Sequence, residues 1–293
     1  FIEPSPFGTI IKDEKTGNSR VCIFGHWSEN KYLLDNDPDY IKNLLENPDH
    51  LVRSWIYGSW DIIAGGMFDD VWKSEYNVVA PFTIPASWRI DRGFDWGSAH
   101  PFSVLWFAES DGCDVHWDNG DWMTTRKGDV FIIAEWYGSQ KSDEAIGLKM
   151  TAKDMAIGIR EREKAMGLTN VQAGPADSEL WNVKGKTTTL ADDMEAEGIT
   201  FIKAAKSPGS RVSGWDKMRK CIKAAWCDDE DEIGLFVFET CRYFISHVPV
   251  LPRHDVNIED VDTHSLDHDA DCCRYRLTTK RSSMRAEQIA GTY

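Results

Sequence analysis

Residues 87–108 read SWRIDRGFDWGSAHPFSVLWFA, and this stretch sets the fold class. SWRIDRGFDW has the composition of a strand that ends at Asp95, and Gly97 permits a sharp turn directly after it. PFSVLWFA (101–108) is a second apolar run, and DVFIIAEWYG (129–138) is a third. The connection between the second and third, ESDGCDVHWDNGDWMTTRKG, is polar and rich in Gly, Asn and Asp, as a long hairpin connection requires.

The pattern continues downstream. Residues 143–166 have helical spacing, with Met155, Ile159 and Met166 on one side. NVQAGPA (170–176) is a short strand ending at Asp177, because Pro175 forces extended backbone on Gly174. TTLADDMEAEG predicts a helix closed by Gly198, and ITFIKAA a strand. SGWDKMRKCIKAAW is an amphipathic helix with Trp215, Met218, Ile222 and Ala225 inward. EIGLFVFE reads as a strand, ETCRYFISHV as a short helix, and HSLDHDADCCRYRL as the last helix. Three hairpin-linked strands followed by αβ units predict an α/β domain with a mixed sheet and helices on both faces. That order is shared by the ribonuclease H-like fold. Residues 1–80 show short strand signals such as VCIF and a helix opening near Asp39, but no complete fold. They read as the end of a preceding domain plus a linker, with the regular domain over 81–293.

Composition narrows the function. The chain has 293 residues, 42% hydrophobic, and no apolar stretch that could span a bilayer, so no membrane is expected. Its start, FIEPSPFGTI, has no signal-peptide pattern and no initiator Met, which suggests a fragment or a processed chain. Seven Cys without a C-x-x-C pair argue against a disulfide framework and for a reducing compartment. A net charge of −15 argues against a simple nucleic-acid binder. It leaves open an enzyme that meets phosphate through metals and a few local cations.

Three acids stand out: Asp95 in GFDWG, Asp177 in GPADSELW and Asp271 in DHDADCCRY. Asp95 and Asp177 end the first and fourth strands, which places them side by side at one sheet edge. Asp271 lies beside the apolar stripe Leu266, Ala270, Cys273 and Leu277 of the last helix, with Asp267 and Arg274 flanking it and His268 one turn before. Three converging carboxylates suit a hard divalent cation such as Mg²⁺ or Mn²⁺. Each acid also has a bland reading, as a turn, a cap or a solvated helix face. Glu179 competes with Asp177, and Asp267 and His268 compete with Asp271. His264, His268 and Cys272 share a helix face, but no fourth ligand lies near to complete a zinc site. Lys206 precedes a stripe of Lys217, Lys220 and Lys223, which is either a solvated face or a DNA-backbone contact.

Four segments in order resemble the C-terminal part of the large terminase subunit of tailed bacteriophages. KYLLDNDPDYIKNLLENPDHLVRSWIYGSWDIIAGGMF (31–68) is similar to the end of the terminase ATPase domain and its linker. IDRGFDWGSAHPFSVLWFA (90–108) is similar to the first two nuclease strands, GPADSELW (174–181) to the second acidic motif, and LDHDADCCRY (266–275) to the last. The resemblance implies a ribonuclease H-like nuclease over 81–293 that cuts double-stranded viral DNA with two Mg²⁺ or Mn²⁺ ions. Asp95 would bridge both ions, Asp177 and Asp271 would each hold one, and His268 matches a histidine near the site. No G-x-x-x-x-G-K-[ST] motif occurs, so no ATPase activity is implied for this chain. The implied partners are the portal protein, the small terminase subunit and the procapsid, in the host cytoplasm at the portal and not in the mature virion. A junction resolvase or transposase, and a non-catalytic portal-docking module, are the rival readings.

Overall fold

The structure is a computed structural model. It describes short stretches before residue 43 and residues 65–279, apart from 118, 141–142, 184–187 and 228–230. Two compact units emerge, Phe1–Ala64 and Gly65–Tyr293. In the first, Ile10–Lys12 pairs antiparallel with Ser19–Val21. Most of VCIF and of the helix expected near Asp39 lies outside the described residues, as does the tail 280–293.

The second unit begins well ahead of residue 81, because residues 65–80 bury apolar side chains in it. Met67, Phe68, Val71 and Trp72 are all buried. Phe68 meets Trp215 edge-on at 6.2 Å, and Trp72 packs on Phe244 at 6.2 Å between ring centroids. Such side chains contribute about 1.5–3 kcal/mol each when fully buried.

The unit is built on one seven-stranded sheet. Its strands are β1 (Val78–Val79), β2 (Arg89–Asp95), β3 (Ser103–Glu109), β4 (Val130–Tyr137), β5 (Gln172–Ala176), β6 (Ile202–Lys203) and β7 (Leu235–Phe238). The spatial order is β6-β5-β2-β3-β4-β7-β1. β2, β3 and β4 form the antiparallel meander, with Asp95 opposite Ser103 and Ser103 opposite Tyr137. β5 joins β2 in parallel and β6 joins β5 in parallel, while β7 joins β4 and β1 on the other side. Every residue of β3 is buried, as a strand covered on both faces must be.

Helices cover both faces. On one side α1 (Ala152–Ala165) and α2 (Leu190–Glu195) bury Met155, Ile159 and Met194 against Phe94, Val104 and Trp106. On the other, α3 (Ser210–Ala224), α4 (Arg242–His247) and α5 (His268–Thr278) bury Trp215, Met218, Phe244 and Ala270 against Leu105, Phe107 and Ile132. The mixed sheet with helices on both faces is the architecture expected from the sequence.

The helix expected over 143–166 is shorter. Asp143–Gly147 is a strand paired with Ser139–Gln140, and α1 starts only where Thr151 and Asp154 form a capping box. Gly147 explains the strand: its N–H donates to the Ala99 carbonyl at 2.8 Å, and a Cβ there would overlap the backbone of residues 98–100. Met166 is the exposed helix C-cap, not part of the inner face.

Candidate active site

β2 and β5 run parallel as neighbours, so their C-terminal tips meet at one edge. The Asp177 N–H donates to the Phe94 carbonyl at 2.9 Å, which fixes Asp177 beside Asp95. Gly174 makes this approach possible, since a Cβ at that position would overlap the Arg92 carbonyl oxygen. α5 then crosses this edge. Its Cys272 sulfur lies over Gly93, where an added Cβ would come within 3.0 Å of it, and Gly214 of α3 makes room for the Arg274 stem.

Asp95, Asp177, Asp267, His268 and Asp271 line one cleft of about 390 Å³, together with His100, Glu179, Lys206, Arg211 and Tyr275. The sequence-predicted acids are thus brought to one place. The residues that compete for the third corner all line this cleft: Asp267 ends the loop before α5 and Asp271 follows one turn later, on the same side. Cys272 is fully buried under the sheet, which removes it from any zinc set with His268.

Each of the four aspartates in the cleft has a cationic or hydrogen-bonding partner from the chain. Asp95 faces His268 Nδ1 at 3.0 Å and accepts from the Tyr275 hydroxyl at 3.3 Å. Asp177 accepts from Lys206 Nζ at 2.6 Å and caps the turn after β5 by accepting from the Glu179 N–H at 2.9 Å. Asp271 accepts from Arg274 Nε at 2.9 Å and from Arg211 Nη1 at 3.1 Å. Arg211 also donates from Nη2 to Asp267 at 2.8 Å and from Nε to Asp260 at 2.7 Å.

These contacts shape the electrostatics. Burial pushes the Asp95 carboxyl up to about 7; the His268 hydrogen bond opposes this, while the charges of Asp271 and Asp177 add to it. Burial also raises Asp267, helped by Asp271. Burial alone would lower His268, but its hydrogen bond to Asp95 and the surrounding acids outweigh that and raise it. Asp95 and Asp267 thus resist ionisation, and added positive charge in the cleft would relieve that.

The donor chemistry therefore fits a divalent cation that prefers oxygen. The side-chain placement fits only after rearrangement. Among the described residues, no three His, Cys, Asp or Glu side chains are gathered closely enough to hold one ion. Lys206, Arg211 and His268 bond to the acids' oxygens instead. Sequence reading missed Arg211 and Tyr275, whose partners lie 60 and 180 residues away along the chain. Lys206, read from sequence as either solvated or a DNA-backbone contact, is paired with Asp177 at 2.6 Å. Lys217 and Lys220 pair with Glu232 and Asp216 on the outer side of α3, Lys223 is exposed, and none of the three lines the cleft.

No protein-family model and no curated protein matches the chain. Solved structures do. The large terminase of a thermophilic bacteriophage, in complex with ATP-gamma-S, superposes with a TM-score of 0.51 at 13% identity, covering 88% of this chain and 56% of that one. The P22 large terminase nuclease domain gives a TM-score of 0.49 at 15% identity, covering 76% of this chain and 100% of that one. The large terminase nuclease of the thermophilic phage G20c with bound cobalt gives 0.47 at 8%, covering 74% and 99%. The chain spans about half the length of the ATP-gamma-S-bound terminase. At these identities the likeness concerns the fold alone, and the superposition on the ATP-gamma-S-bound terminase carries it: the chain shares the mixed α/β fold of part of a phage large terminase.

Proposed function

We propose that this chain is the nuclease part of a phage large terminase and cuts double-stranded viral DNA during genome packaging. The observation that carries the reading is the meeting of Asp95, Asp177 and Asp271 in one cleft, from two adjacent strand tips and one crossing helix. Asp95, on β2 between β5 and β3, would hold Mg²⁺ or Mn²⁺ together with Asp177 and with Asp271, supported by Asp267. Bound there, the ions would activate water and stabilise the leaving 3′ oxygen of the phosphodiester. Tyr275 orients Asp95 through its hydroxyl, and the His268 imidazole, on the same carboxylate, can take or return a proton as Asp95 changes its partner. Arg274 holds Asp271 from behind, so this acid keeps its direction when its other oxygen is engaged. Lys206 is a basic group at the cleft that could meet a DNA phosphate. Portal protein, small terminase subunit and procapsid are the proposed partners, in the host cytoplasm.

A plasmid-cleavage assay tests this directly. Cutting is expected with Mn²⁺ or Mg²⁺, none with EDTA, and none from the Asp95→Asn, Asp177→Asn or Asp271→Asn protein. Cutting at the normal rate by Asp95→Asn would sink the assignment. Stable capture of portal protein without any cutting would favour the docking-module reading.

A further inference from the structure

Arg211 sits in the first turn of α3, and its guanidinium spends all three nitrogens on acids: Nε on Asp260, Nη1 on Asp271 and Nη2 on Asp267. A fixed strut would lie fully packed. Here the side chain is 29% exposed and lines the cleft beside Lys206. Its three acids differ in what they keep without it. Asp260 retains the Trp215 indole N–H at 2.8 Å and the Val261 N–H at 2.8 Å, and Asp271 retains Arg274. Asp267 and Asp271 belong to the proposed metal set, and Asp260 lies outside the cleft lining. A divalent cation on Asp267 and Asp271 would draw on the same oxygens that now accept from Nη1 and Nη2, and its charge would repel the guanidinium. The Nε contact to Asp260 would remain as a pivot. Two parallel N–H donors would then face the cleft, in the fork geometry that matches a phosphate.

We propose that Arg211 is a substrate-phosphate ligand held in reserve, passing its two terminal nitrogens from Asp267 and Asp271 to a DNA phosphate when a divalent cation takes those carboxylates. The inference rests on the metal-site reading above. It makes metal and DNA binding mutually reinforcing, and it makes the arm unavailable to DNA when metal is absent.

The test measures binding of a short fluorescent duplex by anisotropy across a KCl series, in Ca²⁺ and in EDTA, after calorimetry has established whether the protein binds Ca²⁺. In Ca²⁺, Arg211→Gln should reduce the slope of log K against log[salt] by about 0.9, the loss of one phosphate contact, and Arg211→Lys should keep it. In EDTA the Arg211→Gln and wild-type slopes should coincide. Equal slopes in Ca²⁺ with the ion bound would overturn the exchange while leaving the metal site intact, and an equal loss in both conditions would overturn it too. Failure of the wild type to bind Ca²⁺ would overturn the metal-site reading and this inference with it. A second measurement uses only the wild type: phenylglyoxal labelling of Arg211, followed by mass spectrometry, should rise severalfold with Ca²⁺ and fall when duplex is added. Labelling unchanged by Ca²⁺ would refute the exchange whether or not the variants fold.

Discussion

Replacing Asp95 with Asn should make the metal-free protein more stable at alkaline pH while removing a proposed metal ligand. The Asp95 carboxyl ordinarily titrates at 3.8 and is pushed up to about 7 in the fold, chiefly by burial. Below 3.8 the folded and unfolded states both carry the proton, so the site contributes no pH dependence. Between 3.8 and about 7 the folded state keeps a proton that the unfolded chain has released, so stability falls as pH rises. Over that interval, at about 1.4 kcal/mol per pH unit, the loss approaches about 4 kcal/mol. His268 acts in the same sense: its raised pKa contributes stability at low pH that disappears as pH climbs through it. Asn is nearly isosteric, can still accept from the Tyr275 hydroxyl, and carries no charge to desolvate. With about 2–4 °C per kcal/mol for a unit of this size, Asp95→Asn should melt on the order of 10 °C above wild type at about pH 8 in EDTA. The two should converge near pH 4. Thermal unfolding by circular dichroism at pH 4, 6 and 8 is sufficient. Parallel pH profiles for the two proteins, or a variant less stable at pH 8, would rule out burial of the Asp95 charge as the cause.

Adding Mn²⁺ at pH 8 should raise the melting temperature of the wild type and leave Asp95→Asn nearly unmoved, because the ion neutralises the charge that burial penalises; scanning with and without EDTA checks it. Gly174→Ala should cost about 1–3 kcal/mol in urea unfolding, since its Cβ would overlap the Arg92 carbonyl oxygen and push β5, with Asp177, off β2. Arg276→Met should cost about 3–5 kcal/mol, because Asp91 and Glu109 are buried and bonded to Arg276 at 2.6 and 2.8 Å. Ser103→Ala should cost about 1–3 kcal/mol: Asp269, fully buried, would lose one of its two side-chain anchors and keep His247 at 2.8 Å.

The sheet was legible because burial on both faces writes itself into apolar runs, and β2, β3 and β4 show it between Arg89 and Tyr137. The two strand-tip acids followed from the same signal, since a strand end needs only local composition to be seen. What stayed hidden depends on distant partners. The segment 65–80 looks like a linker by its glycines, yet Phe68 and Trp72 are held by Trp215 and Phe244, which no local pattern announces. The strand Asp143–Gly147 escaped for a similar reason, because Gly147 answers to the backbone of residues 98–100.

The third corner of the site is the sharpest case. Asp267 and Asp271 are four residues apart at the start of α5, so helical spacing alone puts both on one side and cannot rank them. The structure does not rank them either: Arg211, from a different helix, binds both at once. Asp271 differs in being gripped on its second oxygen by Arg274, one turn further along its own helix. That grip leaves Asp271 aimed at the cleft when Arg211 departs, whereas Asp267 is the freer of the two to move. In the proposed metal site Asp271 would thus be the fixed ligand and Asp267 the one that adjusts. Asp271→Asn should therefore weaken Mn²⁺ binding more than Asp267→Asn, by titration calorimetry at pH 8. Equal losses would place both acids in the same role and remove the distinction that Arg274 supplies.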